Sequence, residues 1–122
     1  EISKFFNNKH TVLDVGTHTK DSVDYPDYAH LVSEKVVFGA DFGILICGSG
    51  NGVSMAANKH KGVRAAVCWS EEIAKLARNH NDANIVSIPA RFITLKQAIN
   101  IIKVFIKEQF DGGRHTPRVK KI

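Results

Sequence analysis

The chain has 122 residues, 43% of them hydrophobic and 24% charged, which suits one globular domain and excludes a disordered chain, a collagen-like repeat and a disulfide scaffold. No apolar stretch is long enough to span a bilayer, and Glu1 opens a polar segment with no signal-peptide pattern and no initiator methionine. The formal charge of +5 is local: residues 96–122 hold seven Lys/Arg against two acids, and the remainder holds ten against ten. Such an excess favours an anion site in the last helix and tail over a nucleic-acid-binding face, which would spread its charge and add exposed aromatics.

Taken in order, residues 1–8 look like the end of a helix. Thr11 to Val15 (TVLDV) reads as a strand ending at Gly16, and 17–24 is a polar loop. Pro26 suits a first helical turn; Ala29, Val32, Val36 and Val37 continue at helical spacing until Gly39 stops it. Phe42 to Cys47 (FGILIC) is a continuous apolar run, expected as a strand buried on both faces. Glycines alternate from Gly48 to Gly52, and Val53 to Asn58 then resembles a short helix. Val63 to Cys68 is the next strand. Ser70 caps a helix with Glu71 and Glu72 in its first turn and Lys75 and Arg78 near its end. Asn84 to Ile88 is a further strand. Over Thr94 to Gln109, Leu95, Ala98, Ile99, Ile102, Phe105 and Ile106 form a helical stripe, with Lys96, Lys103 and Lys107 outside it.

This rhythm predicts an α/β fold of Rossmann-like, three-layer α/β/α type with a parallel sheet. Right-handed crossovers gather the C-terminal ends of the strands at one edge, where such folds bind ligands. There is no repeat and no linker, so residues 1–122 form a single domain.

Cys47-Gly48-Ser49-Gly50-Asn51-Gly52 occupies a strand-to-helix turn. Its glycines let backbone N–H groups face a ligand, and the following helix adds the positive end of its dipole, so the loop can hold a phosphate or a developing oxyanion. The spacing is neither the dinucleotide fingerprint nor a P-loop, and a tight turn made for packing is the plain alternative. Cys47, facing that loop, is a candidate thiolate nucleophile or base; the alternative is a small buried hydrophobe. Cys68 has no glycine loop after it and reads as structural. The two cysteines make no disulfide framework, so a reducing, cytoplasmic setting is expected.

His80-Asn81-Asp82-Ala83-Asn84 is a second polar cluster near a sheet edge, with His80 either an acid/base or a helix C-cap. The six histidines (10, 18, 30, 60, 80, 115) show no paired ligand spacing, which argues against a metal site. Arg114, His115 and Arg118 on a glycine-released tail can close over a phosphate, or form a frayed basic terminus.

Six ordered motifs carry a resemblance over nearly the whole chain: Asp24-Tyr25-Pro26-Asp27-Tyr28-Ala29, Gly43 to Gly52, Ala56-Ala57-Asn58-Lys59, Arg64-Ala65-Ala66, Ala77 to Asn84, and Phe110 to His115. Together they resemble the type B ribose-5-phosphate isomerases of the ribose/galactose isomerase family. The resemblance implies an aldose–ketose isomerase for ribose 5-phosphate and ribulose 5-phosphate with no metal or organic cofactor. It implies Cys47 as the base acting through a cis-enediolate, Gly48, Ser49, Gly50, Asn51 and Gly52 around that intermediate, and His80 in ring opening. Asn81 and Arg91 become substrate contacts, and Arg114, His115 and Arg118 the phosphate end. The partners implied are a sugar phosphate and a second copy in a homodimer sharing the site, or a tetramer, with neither nucleic acid nor membrane. Six-carbon isomerases (galactose or allose 6-phosphate) and a non-catalytic phosphosugar-binding module are the alternatives.

Two departures stand out. The family opens with a strand and an Asp-His pair unmatched here, so the resemblance implies a sheet without the family's first strand and a longer parent chain. Pro89 precedes Ala90-Arg91 where the family usually has glycine, and a residue that fixes φ and removes a donor is expected to loosen the placement of Arg91.

Overall fold

A computed structural model describes all of residues 1–122. Its elements are α1 (Ile2–Phe6), α2 (Tyr25–Val37), β1 (Gly43–Cys47), α3 (Asn51–Ala57), β2 (Ala65–Val67), α4 (Glu71–Asn81), β3 (Ile85–Pro89), α5 (Leu95–Lys107), a 3-10 turn at Gly113–His115, and α6 (Thr116–Val119). The sheet has three strands in the order β1-β3-β2, all parallel, with Gly43 and Ala65 both level with Ile85.

Alternation along β3, the central strand, builds the layers. Ile85 joins Ala29 of α2, Leu45, and Val53 and Ala57 of α3 in one core. Val86 and Ile88 point the other way, into a core with Ala74 and Ala77 of α4 and Ile101, Ile102 and Phe105 of α5, which Phe6 of α1 closes. The Rossmann-like α/β/α reading holds.

Local chemistry sets the helix ends. Pro26 lies in the first turn of α2, and Gly39, at φ +132°, turns the chain away after its end. Ser70 Oγ accepts the Ile73 N–H at 3.3 Å. Thr94 and Gln97 exchange bonds at the start of α5, Gln97 N–H to Thr94 Oγ1 at 3.1 Å and Thr94 N–H to Gln97 Oε1 at 2.8 Å, a capping box.

Three expectations need correction. Thr11 to Val15 forms no strand: it joins no ladder of the sheet, and its local bond runs from Gly16 N–H to Asp14 Oδ1 at 2.9 Å. An apolar run becomes a strand only where a neighbour completes its hydrogen bonds and its packing, and Leu13 stays 67% exposed. β1 is an edge strand and not buried on both faces, since Ile46 is half exposed. The buried stripe of α5 is Ala98, Ile101, Ile102 and Phe105, while Leu95 faces water. No helix is long and apolar enough to cross a membrane.

Candidate functional site

Two groups of polar residues stand at opposite edges of the sheet. The first is at the C-terminal edge, where β1 ends at Cys47 opposite Pro89. Cys47 is half-buried and free. The turn after it needs glycine in two places. Gly50 has φ +75°, a left-handed conformation that L side chains enter at a cost. At Gly52 an added Cβ would stand 2.5 Å from Cζ of Tyr25, so the Tyr25 ring of α2 lies directly on the loop. The buried Ser87 hydroxyl donates to Gly50 O at 2.7 Å and ties the turn to the central strand. Ser49 Oγ accepts the Asn51 N–H at 3.3 Å, holding the start of α3.

Pro89 does not loosen Arg91. The next two N–H groups take over the ladder, Ala90 to Cys47 O at 2.9 Å and Arg91 to Gly48 O at 3.1 Å, and a Cβ on Gly48 would meet Arg91 Nε at 3.0 Å. The arginine is therefore laid across the loop. Beside it a cavity of about 490 Å³ is walled by Ser49, Asn51, Trp69, Pro89, Phe92 and Ile93. Cys68, at the end of β2, is buried, and burial pushes its thiol up to about 12, which suits the structural reading.

The second group gathers at the N-terminal edge. α4 runs antiparallel to the strands, so its last residues, His80 and Asn81, end where β3 is about to begin. Asp82 (φ 48°), and not His80, caps this helix, in the left-handed conformation. The tail returns here. Asp111 N–H donates to Asn79 O at 2.9 Å, Asn79 Nδ2 donates to Gln109 O at 2.7 Å, and the imidazoles of His80 and His115 stack with centroids 4.2 Å apart and planes 13° apart. Partial loss of water, then the charges of His80, Arg114 and Arg118, lower the His115 pKa below its ordinary value, with Asp111 opposing. Gly113–His115 forms a 3-10 turn and Thr116–Val119 a one-turn helix, neither with a buried residue.

Spacing argued against a metal-binding cluster, yet folding brings ligand atoms of His80, Asp111 and His115 within 4.8 Å of one another, because α4 and the tail meet only in three dimensions. Cys47 and His80 are not brought together in one chain. A five-residue strand separates their edges, roughly 15 Å.

The sequence reading also missed Arg78. It is buried, its guanidinium donating to Asp82 Oδ1 at 3.0 Å and to Ala83 O and its Nε to Glu108 O at 3.3 Å. It lies over the rings of Phe42 and Phe105, 5.1 and 5.8 Å from their centroids, and so fastens the tail's first residues to α4. Tyr25 and Ser87 stood inside quoted motifs, but nothing in their spacing marks them as supports of the glycine loop.

Comparison with known proteins decides the family. A profile described as ribose/galactose isomerase matches residues 1–122. The chain belongs to the ribose/galactose isomerase family. Within it, the chain is 48% identical over 125 residues to the probable ribose-5-phosphate isomerase B of Mycoplasma genitalium, covering 99% of this chain and 82% of that relative. The ribose 5-phosphate isomerase of Thermotoga maritima superposes with a TM-score of 0.96 at 46% identity over 98% of this chain and 84% of that one. The Mycoplasma genitalium isomerase solved with bound ribulose-5-phosphate gives a TM-score of 0.94 at 48% identity, covering 98% of this chain and 82% of that one.

Proposed function

We propose that this chain is a type B ribose-5-phosphate isomerase, interconverting ribose 5-phosphate and ribulose 5-phosphate. The observation that carries the reading is the near-complete likeness to a family member solved with ribulose-5-phosphate in place. The residue roles rest on the resemblance and on physical fit. His80 assists ring opening by moving a proton between the anomeric hydroxyl and the ring oxygen, because only the open aldehyde isomerises. The Cys47 thiolate then takes the proton from C2, and the electron pair forms the C1–C2 double bond of a cis-enediolate with its charge on O1. The hydroxyl proton on O2 passes to O1, and the thiol returns its proton to C1, leaving the ketone at C2.

The N–H groups of residues 48–52 suit the enediolate oxygens, where one aligned donor is worth ~10²–10³ in rate. Ser49 lies in that loop, with Asn51 and Arg91 beside it. Arg114, His115 and Arg118 suit the phosphate, and Asn81 the sugar between them.

The separation of Cys47 and His80 within one chain favours a site completed by a second copy, the C-terminal edge of one protomer facing the N-terminal edge of its partner. In this reading the protein is a homodimer, free or within a tetramer, acting in the cytoplasm on the pentose phosphates of carbohydrate metabolism. Ribulose 5-phosphate formation from ribose 5-phosphate tests it. Turnover that Cys47→Ala lowers ~10²–10⁴-fold, the range for a positioned acid–base group, supports the reading. Unchanged turnover in the variant contradicts it.

A further inference from the structure

We infer that His80, Asp111 and His115 form a site for a divalent transition-metal ion of the zinc type, and that an ion held there blocks the isomerase. The second half rests on the function proposed above; the first does not.

Two imidazoles and one carboxylate are a donor set that suits zinc and its neighbours and that magnesium and calcium, which prefer all-oxygen shells, do not favour. Their ligand atoms lie within 4.8 Å of one another. On one tetrahedral ion, with bonds of 2.0–2.2 Å, they would stand about 3.3 Å apart. Side-chain rotation is the motion that closing this gap requires. The two rings are stacked rather than convergent, so one must turn about its Cβ–Cγ bond to aim its nitrogen at the ion, and that torsion is broad in histidine.

The frame beneath is already tied. Asp111 is hydrogen-bonded through its backbone to Asn79, next to His80, and His115 N–H donates to Gly112 O at 3.0 Å. Arg114 and Arg118 stand near His115 and oppose a cation, while Asp111 supplies the local negative charge. The ion is therefore one that binds imidazole covalently enough to overcome them. Once bound, it occupies the His80 lone pair that ring opening requires.

Calorimetric titration of EDTA-stripped full-length protein with zinc chloride tests the site. One ion per chain is expected, with affinity at least ~10-fold lower in His80→Gln and His115→Gln, since even an outer partner of a metal ligand is worth that much. A smaller loss is expected in Asp111→Asn, and none with magnesium chloride. The control is His60→Gln, because His30 Nδ1 and His60 Nε2 meet at 2.7 Å as a second imidazole pair; that variant keeps full affinity. Histidine-ring NMR of the unaltered chain gives the same answer without variants, zinc perturbing His80 and His115 before His30 and His60. Absence of binding, or binding unchanged in His80→Gln and His115→Gln, overturns the site. Ribulose 5-phosphate formation that falls along the binding isotherm and returns with EDTA supports the block, and full turnover with zinc bound refutes it. If the unliganded protein has no turnover at all, the isomerase reading fails while the metal titration still decides the site.

Discussion

The contact between Tyr25 and Gly52 can be tested by reversing its sign. A Cβ on Gly52 would stand 2.5 Å from Tyr25 Cζ, 2.6 Å from its hydroxyl oxygen and 2.7 Å from Cε2, so Gly52→Ala must push the ring away. The ring is 45% exposed and has water to move into. A fully buried tyrosine covers roughly 150–250 Å²; at 45% exposed Tyr25 keeps about half of that, ~100 Å², and losing all of it costs about 2.5 kcal/mol at ~25 cal/mol/Å². Alanine in place of glycine in α3 returns up to about 1 kcal/mol through helix propensity. The net loss is ~1.5 kcal/mol, a fall in Tm of about 6 °C for a chain of this size. In a Tyr25→Ala background the ring no longer opposes the new methyl, and Gly52→Ala should then raise Tm. Thermal melts of the four proteins, followed by circular dichroism, complete the cycle. Equal destabilisation in both backgrounds refutes the reasoning, because it would mean that the ring does not rest on the loop.

Further consequences follow from charge and hydrogen bonding. Cys68 is held as a thiol in the fold, its pKa pushed up to about 12 from 9.0, so stability is unaffected below the lower value and falls as pH rises between the two, by about 1.4 kcal/mol per pH unit; urea unfolding at about pH 8 and about pH 10 should show a smaller loss in Cys68→Ala. The His115 imidazole should titrate below an ordinary histidine by NMR, moving up in Arg118→Ala and further down in Asp111→Asn, and the opposite order would contradict the charge assignment. Arg78→Ala removes the donor to Asp82 Oδ1, Ala83 O and Glu108 O, while Arg64 still holds Asp82 Oδ2, and should destabilise the fold by about 1–3 kcal/mol; a loss well under about 1 kcal/mol in chemical denaturation would show that the arginine is not the fastener described.

Most of the architecture was legible because it is written in local periodicities. The α5 helix itself, the Ser70 cap and the strand running into Cys47 each follow from neighbours in sequence. What escaped depends on partners far away. Thr11 to Val15 has the composition of a strand, but pairing is decided by whether a neighbour offers its ladder, which composition does not encode. The Cys47 loop could be placed at the strands' C-terminal edge from topology. The same topology puts the end of α4, and so His80, at the other edge, a step that spacing alone does not suggest. His80 and His115 lie far apart in the chain, and their stacking rests on Arg78 and Asn79, which look like ordinary helix-end residues until the tail is seen docked on them.

The central claim is that one protomer's Cys47 works with its partner's His80. It is tested most directly by pairing two defective chains. Cys47→Ala and His80→Gln, carrying different tags and purified together as a mixed dimer, should each be inactive alone. Under two-fold symmetry the mixed dimer contains one doubly altered site and one intact site, so about half of the unaltered dimer's isomerase activity should return. A mixed dimer no more active than its parents would contradict the shared site.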